Sequence, residues 1–211
     1  LAINGYNQYC SISMIRSYTI PPMKTIGLVR HFKVNKEFPI RQMVTVNELV
    51  TWLEEYDVAD IEEGTTDLRG LNWEICYTSD LPRAIKTAQF IYPGEIVIMP
   101  ELREITPPTF NTGLRFPFIG WAVFARIAPL LSRRYKRMVA EANARIDRAL
   151  DIILASDAEH ILIVSHWALM LYMRKQLIRR GFTGPRMRMV ENGKLHLFRD
   201  AESSAALHAE T

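Results

Sequence analysis

With 211 residues, 48% of them hydrophobic, the chain is long enough for one domain with a substantial core. A formal net charge of +3 and a pI near 8.9 are too mild to argue for a nucleic-acid surface, although they suit an anionic substrate. Cys10 and Cys76 lack metal-ligand spacing and no apolar run approaches the length of a membrane span, so a soluble, cytoplasmic protein without disulfides is expected.

Residues 1–22 have neither the basic nor the long apolar region of a signal peptide. Pro21-Pro22 sets them apart as an N-terminal extension, with the functional domain expected over 23–200 and a small, polar tail over 201–211. The domain opens on the apolar run Thr25 to Val29, which stops abruptly at Arg30-His31. That pattern predicts a buried strand with the pair at its carboxyl end, where open α/β sheets keep their ligands. After a polar loop, Thr45 to Glu48 has the spacing of a capping box, and Val46, Leu49, Val50 and Leu53 predict a helix packing one face on the sheet. The acidic stretch Asp57 to Gly70 reads as a loop without assigned chemistry.

A second strand is predicted over Trp73 to Tyr77, followed by a helix that Ser79 or Asp80 caps. Pro82 fits its first turn, and Arg83 falls near its N-terminus, a place that favours an anion. Ile96 to Met99 predicts a third strand, running into Glu101-Leu102-Arg103-Glu104. From Ile105 to Gly120 the composition shifts to Pro, Thr, Gly and aromatics, Phe110 among them, and this loop is expected to form the wall or lid of a pocket. A long helix follows, its inner stripe made by Val139, Ala142, Ile146, Ala149, Leu150 and Ile153; the cluster Arg133, Arg134, Lys136, Arg137 at its start reads as a solvated face. His160 to Ser165 is another apolar strand ending in a histidine, His166. Trp167 to Arg180 then reads as a helix stopped by Gly181, and Asn192-Gly193 as the turn of a hairpin between Met187–Glu191 and Lys194–Phe198. The sum is an α/β protein, a three-layer α/β/α sandwich whose mainly parallel sheet gains an antiparallel strand at the C-terminal end.

One histidine beside an apolar run is more often a hydrogen-bonded core residue than a catalyst. Four strand ends that offer His, Arg, Glu and His in one chain mark a candidate site. Arg30-His31 after a strand, Ser79 to Ala88 with Arg83, Leu102-Arg103-Glu104 and Val164-Ser165-His166, in that order, resemble the histidine phosphatase superfamily, the phosphoglycerate mutase-like proteins of branch 1. The resemblance covers roughly Met23 to Phe198 and implies that fold.

The chemistry of these residue types fits phosphoryl transfer. A neutral imidazole can attack phosphorus, so His31 is the expected nucleophile, and Arg30 and Arg83 suit the phosphoryl oxygens, with His166 a further donor if protonated. Glu104, by motif match, is the expected acid and base, with Glu101 the weaker candidate. The resemblance implies a phosphohistidine intermediate and no metal or other cofactor. A small phosphorylated metabolite is the expected partner, with no nucleic acid and no membrane; a homodimer is left open. Phe32 and Trp167 stand where the family usually has glycine, Ala168 where it has a second one, and Glu37 where it has asparagine, so the pocket rim, expected from Phe32, Phe110 and Trp167, is rebuilt. Hydrolysis is favoured over phosphoglycerate-type mutase chemistry because the segment between Glu104 and the long helix is short. The competing readings are a silent phosphate-binding or partner-binding member of the fold and, from the Arg133 to Arg137 cluster, a nucleic-acid binder.

Overall fold

Alternation along two strands decides the architecture, which is taken from a computed structural model that describes residues 23–40, 42–105 and 113–200. The elements run β1 (Thr25–Arg30), β2 (Met43–Val44), α1 (Val46–Val58), β3 (Ile75–Thr78), α2 (Pro82–Ile91), β4 (Ile96–Ile98), β5 (Phe116–Pro117), α3 (Phe118–Leu131), α4 (Arg133–Leu154), β6 (His160–Ser165), α5 (Trp167–Arg179), β7 (Phe182–Thr183) and β8 (Leu195–Asp200). A six-stranded sheet has the order β4-β3-β6-β1-β8-β7, and β2 pairs with β5 in a separate ribbon. Strands β1, β3, β4 and β6 are parallel; β8 runs antiparallel to β1, and β7 antiparallel to β8.

Successive side chains of β1 and β6 leave on opposite faces. Ile26, Leu28, Ile161 and Ile163 meet Ile146, Leu150 and Ile153 of α4 and Leu169, Met170 and Met173 of α5. Val29, Leu162 and Val164, with Cys76 of β3, meet Ala84 and Ala88 of α2 on the other face. The result is the three-layer α/β fold with a mostly parallel sheet. Each fully buried aliphatic side chain of this kind stabilises the fold by roughly 1.5–3 kcal/mol. Gly27 lets the second face close, because a Cβ there would lie 2.5 Å from the Trp73 ring.

Several elements differ from the sequence expectation. The apolar face of α1 covers Trp121 and Phe118 of α3 and not the sheet; Val46 and Leu49 pack there with Val44. Its capping box forms as expected, with Thr45 Oγ1 accepting from Glu48 N–H at 3.2 Å and Glu48 Oε2 accepting from Thr45 N–H at 2.7 Å. Helix α1 also runs on through Asp57, which the sequence reading had assigned to a loop. The segment read as loop to Gly120 becomes strand and helix from Phe116 onward. Neither Ser79 nor Asp80 is the N-cap of α2; Leu81 is, and Ser79 Oγ accepts from Leu81 N–H at 3.3 Å. The hairpin pairs β7 with β8, not Met187–Glu191, because Arg30 takes the Val190 carbonyl and Gly193 N–H goes to the Arg30 carbonyl. The extension, the tail and Phe110 lie outside the described residues. Among the described residues no helix is long and apolar enough to cross a membrane.

Candidate active site

The parallel register brings the four motif-bearing strand ends to one edge of the sheet. Arg30 pairs with Ser165, and Thr78 with both Val164 and Ile98. Just past these ends the chains stay tied: His31 N–H donates to the Ser165 carbonyl at 3.0 Å, Ser79 N–H to Val164 at 3.2 Å and Met99 N–H to Thr78 at 2.8 Å. The two histidines, far apart in sequence, therefore meet, with ring centroids 5.2 Å apart and planes tilted by 54°. Both are buried, at 3% and 1% exposure.

His31 Nδ1 lies 2.6 Å from the Phe32 carbonyl. A carbonyl only accepts, so Nδ1 carries the proton and Nε2 keeps its lone pair. Burial, with the Arg83 and Arg30 charges added, pulls His31 down to about 3. His166 is the N-cap residue of α5, and neither of its ring nitrogens has a partner. Burial first, then His31 and the two guanidinium groups, hold it well below the usual histidine range. Both rings are neutral near pH 7, so His166 offers one N–H and not the cationic donor that a protonated ring would be.

Arg30 and Arg83 are each pinned by one terminal nitrogen. Arg30 Nη1 donates to the Val190 carbonyl at 2.8 Å, and Arg83 Nη1 to Asp57 Oδ1 at 2.6 Å. Both Nε–H groups are buried without a partner. A guanidinium is a planar fork matched to phosphate, so two anchored groups with a donor to spare are prepared for an anion. Thr87 fixes the spacing: its hydroxyl donates to the Arg83 carbonyl at 2.7 Å and accepts from Phe32 N–H at 2.8 Å. Asn192 adds a brace by donating from Nδ2 to the His31 carbonyl at 2.7 Å.

Glu104 follows the single turn Pro100–Leu102. The residue is half-buried as a whole, but its carboxyl end is enclosed against the start of α5. Oε1 accepts from Ile105 N–H at 2.8 Å and from Leu169 N–H at 3.0 Å, and Oε2 accepts from Ala168 N–H at 3.1 Å. Burial raises its pKa and outweighs these three hydrogen bonds, which favour the charged form. Two donors already occupy Oε1, so a proton on this carboxyl sits on Oε2. Glu101, on the turn itself, touches the site through the charge it shares with Arg145.

Phe32 was expected on the pocket rim; it is 3% exposed and packs with Val34, Tyr56 and Ile61. Trp167 is half-buried and leans on the main core at the first position of α5. The sequence reading missed Tyr56, Asp57, Arg145 and Asn192. Tyr56 extends the apolar spacing of α1, and Arg145 interrupts the inner stripe of α4 beside Ile146, which are the signals that mark them. The Arg83 guanidinium lies 5.1 Å from the Tyr56 ring, and Tyr56 stacks on Trp52 at 5.0 Å. Trp52 and Phe118 line a cavity of about 320 Å³ together with Glu37, Glu48 and Arg115. Half-buried Arg145 donates to the Pro100 carbonyl at 3.3 Å, and its charge reaches both Glu104 and His166.

The family model described as histidine phosphatase superfamily (branch 1) matches residues 51–209, a span that begins downstream of Arg30-His31. A phosphoglycerate mutase from Bacillus anthracis superposes with a TM-score of 0.57 at 18% identity, over 84% of this chain and 88% of that one. Bacillus stearothermophilus YhfR gives 0.52 at 20% identity, over 74% and 80%. A mycobacterial glucosyl-3-phosphoglycerate phosphatase gives 0.47 at 15% identity, over 74% and 80%. At 18% and 20% identity the likeness to the first two is one of fold. No curated protein matches the chain.

Proposed function

Because the chain belongs to the histidine phosphatase superfamily (branch 1), which includes phosphatases and mutases, we propose that it hydrolyses a small phosphomonoester through a phosphohistidine on His31. The observation that carries this reading is the pairing of a neutral His31, its Nδ1 spent on Phe32, with two anchored guanidinium groups that hold unpartnered N–H donors. In the first step the Nε2 lone pair forms a bond to phosphorus as the ester P–O bond breaks. The leaving alkoxide takes the proton from Glu104 Oε2. Arg30, Arg83 and the His166 N–H hold the phosphoryl oxygens where charge develops. In the second step water attacks phosphorus, its proton goes to Glu104, and the P–N bond breaks to release phosphate and restore His31.

Hydrolysis of an aryl phosphate without added metal, by wild type and by His31→Ala, tests this. The reading requires activity in the first and a loss of at least about a thousandfold in the second. Equal rates would remove His31 from the mechanism. Phosphate binding without turnover would instead identify a silent member of the fold, as the rebuilt positions Phe32 and Trp167 allow.

A further inference from the structure

The last turn of α1 places Tyr56 beside the candidate phosphate site, although no motif points to it. Its ring is 8% exposed, lies under the Arg83 guanidinium at 5.1 Å and is braced from behind by Trp52 and Phe38, at 5.0 and 5.4 Å. Its phenol lies within electrostatic reach of the Arg30 and Arg83 guanidinium groups and of Glu104. A buried phenol has an O–H to place. Among the described residues Tyr56 donates that hydrogen to no carbonyl or carboxylate. Arg30 Nε, Arg83 Nε and the His166 nitrogens are likewise buried donors or donor-capable atoms without a partner, and the two guanidinium charges act on His166. A ring packed against Trp52 and Phe38, with Arg83 over it, keeps its hydroxyl in place with little loss of side-chain freedom on binding.

We propose that the Tyr56 hydroxyl is a direct donor to a phosphoryl oxygen, an addition to the phosphate cradle supplied by helix α1; this rests on the phosphatase reading of the same site. Burial raises the phenol's pKa, with Arg30 and Arg83 opposing, so the group keeps its proton through the neutral range. It acts together with the two guanidinium groups and carries no charge of its own, so it stabilises bound phosphate without adding to the repulsion that keeps His31 neutral.

The test is Tyr56→Phe in the full chain, which keeps the ring and its packing and removes only the hydroxyl. The competitive inhibition constants of inorganic phosphate and of vanadate should each rise about tenfold or more, and kcat/KM for an aryl phosphate should fall about 10- to 100-fold. The thermal midpoint should stay within a few degrees of wild type. Unchanged inhibition constants together with a lowered midpoint would make Tyr56 a packing residue and overturn the proposal. A fluorotyrosine placed at position 56 in the otherwise unaltered chain gives a second readout: its ¹⁹F resonance should move on titration with vanadate, and a resonance that stays fixed contradicts direct contact. His31→Ala separates the two levels. Loss of turnover in that variant with unchanged anion affinity in Tyr56→Phe defeats this proposal alone, whereas wild-type turnover in His31→Ala defeats the phosphatase reading while the anion titrations still decide on Tyr56.

Discussion

Asp57 holds Arg83 by one guanidinium nitrogen, Oδ1 to Nη1 at 2.6 Å, and leaves the Nε–H of the same group buried without a partner. The arginine side chain is 4% exposed and the aspartate 44%, so the acid sits at the rim and reaches inward. Asp57 thus positions Arg83 without covering the donor that an anion would use. Its charge opposes an incoming phosphate, but a carboxylate this exposed is screened by solvent. Asp57→Ala should therefore raise KM and the phosphate inhibition constant about tenfold by freeing the guanidinium. Asp57→Asn, which keeps the acceptor oxygen and loses the charge, should leave both within about threefold of wild type. Equal loss in the two variants would assign the effect to charge and not to position.

The three backbone N–H groups around Glu104 make the identity of its proton testable through the leaving group. Glu104→Gln removes the acid and sets an amide N–H against the Ala168 N–H, which previously met Oε2. Hydrolysis of an alkyl phosphate, whose alkoxide needs a proton, should fall by about 10²- to 10⁴-fold. An aryl phosphate with an acidic phenol should lose far less in its first step. Equal losses on both esters, measured as kcat/KM, would show that Glu104 does not act as the acid.

Two histidines buried in their neutral forms make the fold sensitive to mild acid. His31 sits at about 3 in the folded chain against an ordinary 6.5, and His166 is displaced in the same direction. As pH falls from 6.5 toward 5 the unfolded chain takes up protons at these rings and the folded chain does not, so stability is lost by up to about 1.4 kcal/mol per pH unit for each. Buried His196 is displaced in the same direction and adds a contribution of the same sign. Glu104 acts the other way because its folded value is raised. Urea midpoints across that window should therefore decline with falling pH, and His31→Asn should flatten the decline.

Gly193 sits at φ +69, and a Cβ there would come within 2.9 Å of the Phe32 ring. Its N–H meets the Arg30 carbonyl at 2.9 Å, and its neighbour Asn192 holds the His31 carbonyl. Gly193→Ala should lower stability by about 1–3 kcal/mol through backbone strain and the forced shift of Phe32. It should reduce activity more than the stability loss accounts for, because the displaced segment carries His31. A variant with normal activity at full folding would place the loop outside the site's support.

Strand ends were legible in the sequence because a buried parallel strand shows as an apolar run that stops at a polar residue, as at Arg30-His31 and at His166. Local chemistry also showed through: the Thr45–Glu48 capping box depends only on spacing within one turn. What the sequence hid was set by long-range packing. The apolar face of α1 turned toward Trp121 and not the sheet, since Val44 and Phe116 bring the β2–β5 ribbon and α3 over it. The apparent strand before Asn192 gives its Val190 carbonyl to Arg30 and does not pair with β8. Asp57 reads in the sequence as the start of a loop and Tyr56 carries no motif, and only the fold sets both against Arg83. The four motif groups stood out in the sequence because each follows a strand of its own; the residues that hold those groups in place lie elsewhere in the chain.

The most direct measurement is rapid quenching of the wild-type protein turning over a ³²P-labelled phosphomonoester, followed by mapping of acid-labile, base-stable label. The account predicts one labelled peptide, the one that contains His31, and no label in His31→Ala. Label on another residue, or turnover with no covalent phosphate at any time point, would contradict it.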